Sequence, residues 1–236
     1  MRILLLVLLA WPCLAEDGFT AELWSSAGRI YARTLEHPLL KGLSDGTLPR
    51  ERFRFYLLQD AQYLRAYSQA LNILASKAPR EEWAITLGTH AVDALRTERQ
   101  LHESILRSYG VSDQEMRSAV MAPSNVSYTN HLLAAVHQRP FGEALAAMLP
   151  CYWIYWEVGK ELRKRGSSDP NYRRWIEQYS DPAYGKAVEQ VLAIMNEEAR
   201  TMSPQSRARA VELFTLGARY EYMFWDMAWR QEQWVP

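Results

Sequence analysis

Residues 140–163 read PFGEALAAMLPCYWIYWEVGKELR, and this stretch decides the fold. Apolar side chains recur in it at spacings of three and four residues, which is the period of one face of an α-helix. That face contains Ala144, Met148, Cys151, Tyr155, Val158 and Leu162. The segment is also longer than a typical strand. It therefore predicts a helix over residues 140–165 that packs against other helices.

The same period continues in both directions along the chain, and no stretch alternates convincingly between apolar and polar residues. Capping residues followed by proline mark helix starts at Asp169-Pro170, Asp181-Pro182 and Ser203-Pro204. The remaining helices are predicted near residues 20–35, 38–45, 48–77, 80–109, 112–120, 125–138, 170–180, 182–200 and 204–231. The sequence thus predicts an all-α helical bundle with short connections.

The charges of the chain balance, with 27 Lys and Arg residues against 27 Asp and Glu residues. Proteins that bind nucleic acid or anionic membrane surfaces usually carry an excess of positive charge. Neither partner is expected here, and a small molecule or another protein fits better.

The first fifteen residues have the pattern of a cleavable signal peptide. A single charge at Arg2 precedes an apolar run from Ile3 to Trp11, and small residues stand before a cleavage point after Ala15. The run is too short for a stable membrane anchor. We expect an exported protein, periplasmic or secreted, whose mature form is a single domain over residues 16–236. Because Cys13 leaves with the leader, Cys151 is the sole cysteine of that form and has no internal disulfide partner.

Three unusual side chains lie on inward faces. Asp60 interrupts an apolar stripe on the helix over residues 48–77, and Glu221 does the same on the last helix. Burying a carboxylate costs several kcal/mol unless it is paired, so such positions are candidates for function. Cys151 follows Pro150, which is predicted to kink its helix at a cost of about 3 kcal/mol. An inert cysteine at a packing kink is the alternative interpretation.

Several tyrosines also point inward in the predicted helices. Tyrosine offers a flat apolar wall with a hydroxyl group, which suits a planar heteroaromatic ligand, although any one of them also fits an ordinary core. These residues are Tyr63, Tyr128, Tyr155 and Tyr179, together with Tyr67. Glu98 and His102 share a helical face as well. We predict a structural hydrogen bond between them rather than a metal site, because no Glu-x-x-His partner completes a di-iron set.

The ordered set of these motifs resembles the thiaminase II family, also called the TenA family, along nearly the whole mature chain. The motifs are Leu58-Gln59-Asp60 with Tyr63, Ser127-Tyr128, Leu149-Pro150-Cys151 with Tyr155, Trp175-Ile176 with Tyr179, and Glu221 with Phe224-Trp225. The resemblance implies a heme-oxygenase-like helical bundle without heme, a homotetramer, and an enzyme that needs no metal or organic cofactor. Familiar members of this family are mostly cytosolic, so the leader is a departure.

The resemblance also implies an aminopyrimidine aminohydrolase, acting on 4-amino-5-aminomethyl-2-methylpyrimidine or on thiamine in thiamine salvage. Carried over by matching positions, Cys151 is the nucleophile and Glu221 the acid and base. Asp60 holds the pyrimidine edge, and Tyr128 and Tyr179 form hydrogen bonds. The pocket walls are Tyr63 and Tyr155. Glu221 must begin protonated in this scheme, so its burial is expected to raise its pKa toward neutrality.

Two other functions compete with hydrolysis. A cofactor-free or metal-dependent oxidase or oxygenase on the same fold would need a pocket rich in histidine, or one that combines carboxylates with histidines. The chain has five histidines, none on the stripes of Cys151 and Glu221. An exported carrier would bind the pyrimidine or thiamine without turning it over.

Overall fold

A computed structural model describes residues 18–235, which form eleven α-helices and no strand. The predicted signal peptide lies outside the described residues. The helices are α1 Phe19–Leu35, α2 Pro38–Asp45, α3 Arg50–Ser76, α4 Glu81–Asp93, α5 Arg99–Ser108, α6 Asp113–Ser118, α7 Pro123–Gln138, α8 Phe141–Arg163, α9 Pro170–Tyr179, α10 Pro182–Ala199 and α11 Pro204–Arg230. The predicted all-α class is confirmed.

The predicted caps start three of these helices. Side-chain oxygens of Asp169, Asp181 and Ser203 accept hydrogen bonds from backbone N–H groups at the beginnings of α9, α10 and α11. Each cap satisfies donors that a helix start leaves without a partner inside the helix. The proline that follows each cap lacks an N–H and has a backbone angle already suited to a helix.

The helix predicted over residues 80–109 is interrupted in the middle. Residues Ala94–Glu98 form a π-helical turn that joins α4 to α5. A π turn inserts one residue into the helical period, and such turns are frequent at functional sites. The side chains of α5 therefore face in other directions than they would in one continuous α-helix over residues 80–109.

Helix α8 is the centre of the bundle and packs against α2, α3, α7, α9, α10 and α11. It remains helical through Pro150, which makes close contact with α11 at Gly217. A Cβ atom at Gly217 would lie 2.7 Å from Cγ of Pro150, so only glycine allows this approach. The kink at Pro150 remains a prediction.

The described part of the chain contains no helix that is both long and apolar enough to cross a membrane.

Candidate active site

The seven site residues predicted from the sequence come from five helices and are all buried. Helix α3 carries Asp60 and Tyr63, α7 carries Tyr128, α8 carries Cys151 and Tyr155, α9 carries Tyr179, and α11 carries Glu221. Their side chains form a connected set. The rings of Tyr63 and Tyr128 are 5.1 Å apart, those of Tyr155 and Tyr179 are 4.8 Å apart, and Tyr128 bonds to Glu221. The structure thus brings the predicted residues into one cluster.

The Cys151 thiol lies among acidic groups. Burial raises its pKa well above the ordinary value, and the nearby Glu221 and Glu98 carboxyls raise it further, while the Tyr63 hydroxyl lowers it. The hydroxyl of Tyr63 lies near the sulfur but forms no hydrogen bond of regular geometry with any described atom. Before substrate binds, Cys151 is therefore a neutral thiol, and the neighbouring Tyr63 hydroxyl is available to form a hydrogen bond.

Glu221 has the environment of a buried acid. Burial raises the pKa of its carboxyl to about 8, and the Asp60 charge adds to this, while a hydrogen bond from Tyr128 works in the opposite direction. The Tyr128 hydroxyl donates to Oε1 of Glu221 at 2.5 Å. The expected shift toward neutrality is confirmed, and at pH 7 the carboxyl is mostly protonated.

Asp60 has a buried partner that the sequence did not suggest. Nδ1 of His102 lies 2.8 Å from Oδ2 of Asp60, although the N–H is too poorly aligned to form a regular hydrogen bond. His102 is fully buried. His102 therefore packs against the carboxyl from the side of α5 and leaves the hydrogen-bonding capacity of Oδ2 unused.

The predicted hydrogen bond between Glu98 and His102 is wrong. Among the described residues no bond joins them directly, and they meet at Tyr179 instead. The Tyr179 hydroxyl donates to Oε2 of Glu98 at 3.2 Å and lies 3.5 Å from Nε2 of His102. Each side chain meets a partner on another helix instead: Glu98 accepts from Tyr179, and Nδ1 of His102 faces α3. Asp60, His102, Tyr179 and Glu98 thus form a continuous polar row.

Glu98 is a third acid next to the site, partly buried, that sequence reasoning did not assign to it. Burial raises the pKa of its carboxyl to about 8, Asp60 raises it further, and the bond from Tyr179 lowers it. Its only sequence signal was the shared face with His102, and that signal pointed to a structural role.

The aromatic wall is larger than predicted. The hydroxyl of Tyr56 lies 3.2 Å from that of Tyr155, and the rings of Tyr56 and Trp225 stack at 5.3 Å. Trp175 closes the same side against Tyr179 at 4.6 Å. These residues are fully buried and hold the tyrosines of the cluster in fixed orientations.

A cavity of about 620 Å³ opens from the surface next to this cluster. Glu98, Tyr152 and Tyr184 are part of its lining, and both tyrosines also interact electrostatically with Cys151. Cys151, Asp60 and Glu221 are not part of the lining. Glu98, Tyr152 and Tyr184 thus line the cavity and also lie near Cys151.

Within residues 18–235, no group of three or more His, Cys, Asp or Glu side chains is arranged to hold a metal ion.

Fold and site together define an all-α protein with a buried cysteine and several buried acids. The model of the TENA/THI-4/PQQC family matches residues 24–231, and the chain belongs to this family. It is 34% identical over 216 residues to an aminopyrimidine aminohydrolase of Bacillus subtilis, covering 92% of each chain. This relationship makes the protein a hydrolase.

Solved structures agree with this family. A TenA homologue from P. horikoshii superposes with a TM-score of 0.84 at 28% identity, covering 90% of this chain and 99% of the other. A protein of heme oxygenase-like fold from Shewanella denitrificans gives 0.71 at 12% identity, covering 90% and 92%. At that identity the second likeness concerns the fold alone, and it confirms the predicted heme-oxygenase-like bundle.

Proposed function

We propose that the protein is an aminopyrimidine aminohydrolase of thiamine salvage. It converts 4-amino-5-aminomethyl-2-methylpyrimidine to the 5-hydroxymethyl compound and also cleaves thiamine. The observation that carries the proposal is the meeting of one thiol, Cys151, with the acids Asp60 and Glu221 in a tyrosine-walled cluster. Likeness to the Bacillus subtilis enzyme over nearly the whole chain supports the same substrate class.

Cys151 begins the reaction by adding to the pyrimidine ring. The new S–C bond uses a carbon beside a ring nitrogen, and the C=N electron pair moves onto that nitrogen. The nitrogen gains a proton as the thiol loses one, so the step adds no net charge to an already acidic cluster. Asp60 favours the step because a carboxylate stabilises the protonated ring nitrogen.

Glu221 then handles the exchange at the exocyclic methylene. With aromaticity broken, the C–N bond to the amine breaks. The substrate binds as the ammonium ion and loses one proton to solvent before this step, so the protonated carboxyl of Glu221 donates its proton to a neutral amine. The ionised Glu221 next takes a proton from water as the water oxygen bonds to the methylene. The sulfur leaves, the ring nitrogen returns its proton to the thiol, and the aromatic ring is restored.

Ammonia release tests the proposal. Mature protein, starting at residue 16, should release ammonia from the aminomethylpyrimidine without added oxidant, and Cys151→Ser should abolish release while binding is retained. Tight binding by the unmodified protein with no ammonia would favour the carrier. Consumption of O₂ with the substrate would favour the oxidase.

Export is part of the same proposal. The pattern of residues 1–15 supports cleavage after Ala15 and delivery to the periplasm or medium, where the enzyme would act on thiamine or its breakdown products before uptake. Cell fractionation and N-terminal sequencing test this. A chain that starts at Glu16 in the exported fraction is expected, and an intact chain in the cytosol would contradict it.

We also propose a homotetramer. Ile85 and Val92 are 62% and 43% exposed on one face of α4, and Leu216 and Met223 are 36% and 40% exposed on one face of α11. Exposed apolar side chains two turns apart on one helical face are suited to contacts between subunits. Light scattering should give four times the chain mass, and a monomer would contradict the proposal.

A further inference from the structure

Glu98 lies where the open cavity meets the buried cluster. It ends the π turn Ala94–Glu98, and its carboxyl accepts a hydrogen bond from Tyr179 while also lining the cavity. Asp60, His102 and Cys151 lie on its inner side. The substrate ring reacts at the sulfur. A substituent of that ring that is directed toward solvent would therefore pass next to the Glu98 carboxyl.

The charged groups around the cavity leave Glu98 without a cationic partner. Its outer lining holds the carboxyls of Asp93, Glu177 and Asp181 and a single guanidinium, that of Arg174, which donates to Oγ of Ser104 at 2.6 Å. In the described part of the chain, no Lys or Arg lies within ion-pair distance of Glu98.

The other basic group of the lining is His90. Its ring lies 3.1 Å from the Tyr152 hydroxyl and 3.2 Å from Oε1 of Gln190. Burial lowers the pKa of His90, so it adds little positive charge at neutral pH. The cavity is thus complementary to a cation.

The carboxyl of Glu98 is held ready for such a cation. Its raised pKa, about 8, means that it is mostly protonated in the empty site at pH 7. A cation in contact would favour the ionised form, so binding would release a proton. Glu221 has a similar pKa but does not line the cavity and is bonded to Tyr128, so it remains the acid of the reaction.

On the basis of the proposed function, we propose that Glu98 is a specificity residue that selects substrates with a positive charge on the group attached to the pyrimidine methylene. An ammonium group and the thiazolium ring of thiamine both meet this requirement. A neutral amide at the same position does not.

The test uses three ligands that share the pyrimidine ring: the aminomethyl compound, thiamine, and the neutral formamidomethyl compound. Binding is measured in a Cys151→Ser background, where turnover is blocked, with and without Glu98→Gln. Loss of a buried charge partner should weaken binding of both cations by roughly tenfold or more. Binding of the neutral compound should change less than about twofold, and this also shows that the variant is folded.

Proton release gives a second measurement. Titration calorimetry with thiamine, a permanent cation, is run in two buffers of different ionisation enthalpy near pH 7. It should detect a released proton when Glu98 is present and none after Glu98→Gln. The matched control is Glu143→Gln, which changes a buried carboxyl that is bonded to Ser206 and lies outside the site.

Equal weakening of all three ligands by Glu98→Gln, or unchanged proton release, would overturn the inference. Failure of the proposed function is a separate result. In that case the enzyme with Cys151 intact would release no ammonia, whether or not binding depends on the charge of the ligand.

Discussion

Nδ1 of His102 lies 2.8 Å from Oδ2 of Asp60, and both side chains are buried. His102 is fixed on its other side by Tyr179, 3.5 Å from Nε2. The imidazole therefore sets the position of the carboxyl that we propose to hold the pyrimidine. His102 is a positioning residue, since its proposed effect on the ring is exerted through Asp60.

Replacing His102 with Asn should raise KM for the aminomethylpyrimidine by roughly tenfold, with a smaller change in kcat, because Asp60 loses its orientation while Cys151 and Glu221 remain. Steady-state kinetics measures this split. The control is His131→Gln, a histidine that packs against Tyr220 outside the cluster. A loss of thermal stability with KM unchanged would mean that His102 has a structural role only.

Glu221→Gln should lower kcat by a hundredfold or more with a modest change in KM, because general acid catalysis contributes roughly 10²–10⁴-fold and its proton is needed mainly in the transition state. Since the active form is protonated and its pKa is about 8, kcat/KM should fall as the pH rises through that value. The profile is best measured with the neutral formamidomethyl compound, for which the charge of Glu98 matters least. If kcat/KM still falls at high pH in Glu221→Gln, the titrating group is not Glu221.

The same two acids make a prediction about stability. Folding raises the pKa of Glu98 and Glu221 from 4.5 to about 8, so between these values the folded chain binds more protons than the unfolded chain. Stability from these groups is therefore present below pH 4.5 and is lost as the pH rises toward 8.

Thermal melts from pH 5 to 8 test this linkage. Relative to the unmodified protein, a Glu98→Gln/Glu221→Gln double variant should gain stability steadily across that range, because amides do not titrate. A constant difference between the two melting curves would show that the carboxyls have ordinary pKa values. The control variant is Glu189→Gln, at an exposed position on α10.

The helical elements could be predicted because their signals are local. The three- and four-residue spacing around Cys151 and the caps Asp169, Asp181 and Ser203 each depend on a few neighbouring residues, and the structure has these helices within a few residues of the predicted bounds. Inward placement of Asp60 and Glu221 followed from the same spacing, because each lies on an unbroken helix.

The contacts of Glu98 and His102 could not be predicted in this way. The π turn between α4 and α5 changes the helical phase at Glu98, and no composition or spacing signals it. Pairing of His102 with Asp60 joins helices α3 and α5, and the bond to Tyr179 adds α9, so both depend on the tertiary packing. The family resemblance did not supply these residues either, because they lie outside the motifs that carried it.

Gly159 sets how closely α8 approaches the end of α9, where Tyr179 stands. A Cβ atom at Gly159 would lie 2.5 Å from the carbonyl carbon and oxygen of Tyr179, a clash with backbone that no side-chain rotation can relieve. Gly159→Ala should therefore destabilise the fold by about 1–3 kcal/mol, the usual cost of overpacking. It should also lower kcat/KM by displacing Tyr179 and, through its bond, Glu98.

The matched change is Gly88→Ala on α4, where the new Cβ meets no atom within 4 Å. Alanine in a helix interior is favoured over glycine by roughly 0.5–1 kcal/mol, so this variant should be more stable, with normal kinetics. Urea unfolding of both variants gives the comparison. Gly159→Ala could instead be as stable as Gly88→Ala. That result would mean that α9 can move away from α8 without loss of stability, so the position of Tyr179 would not depend on this close packing.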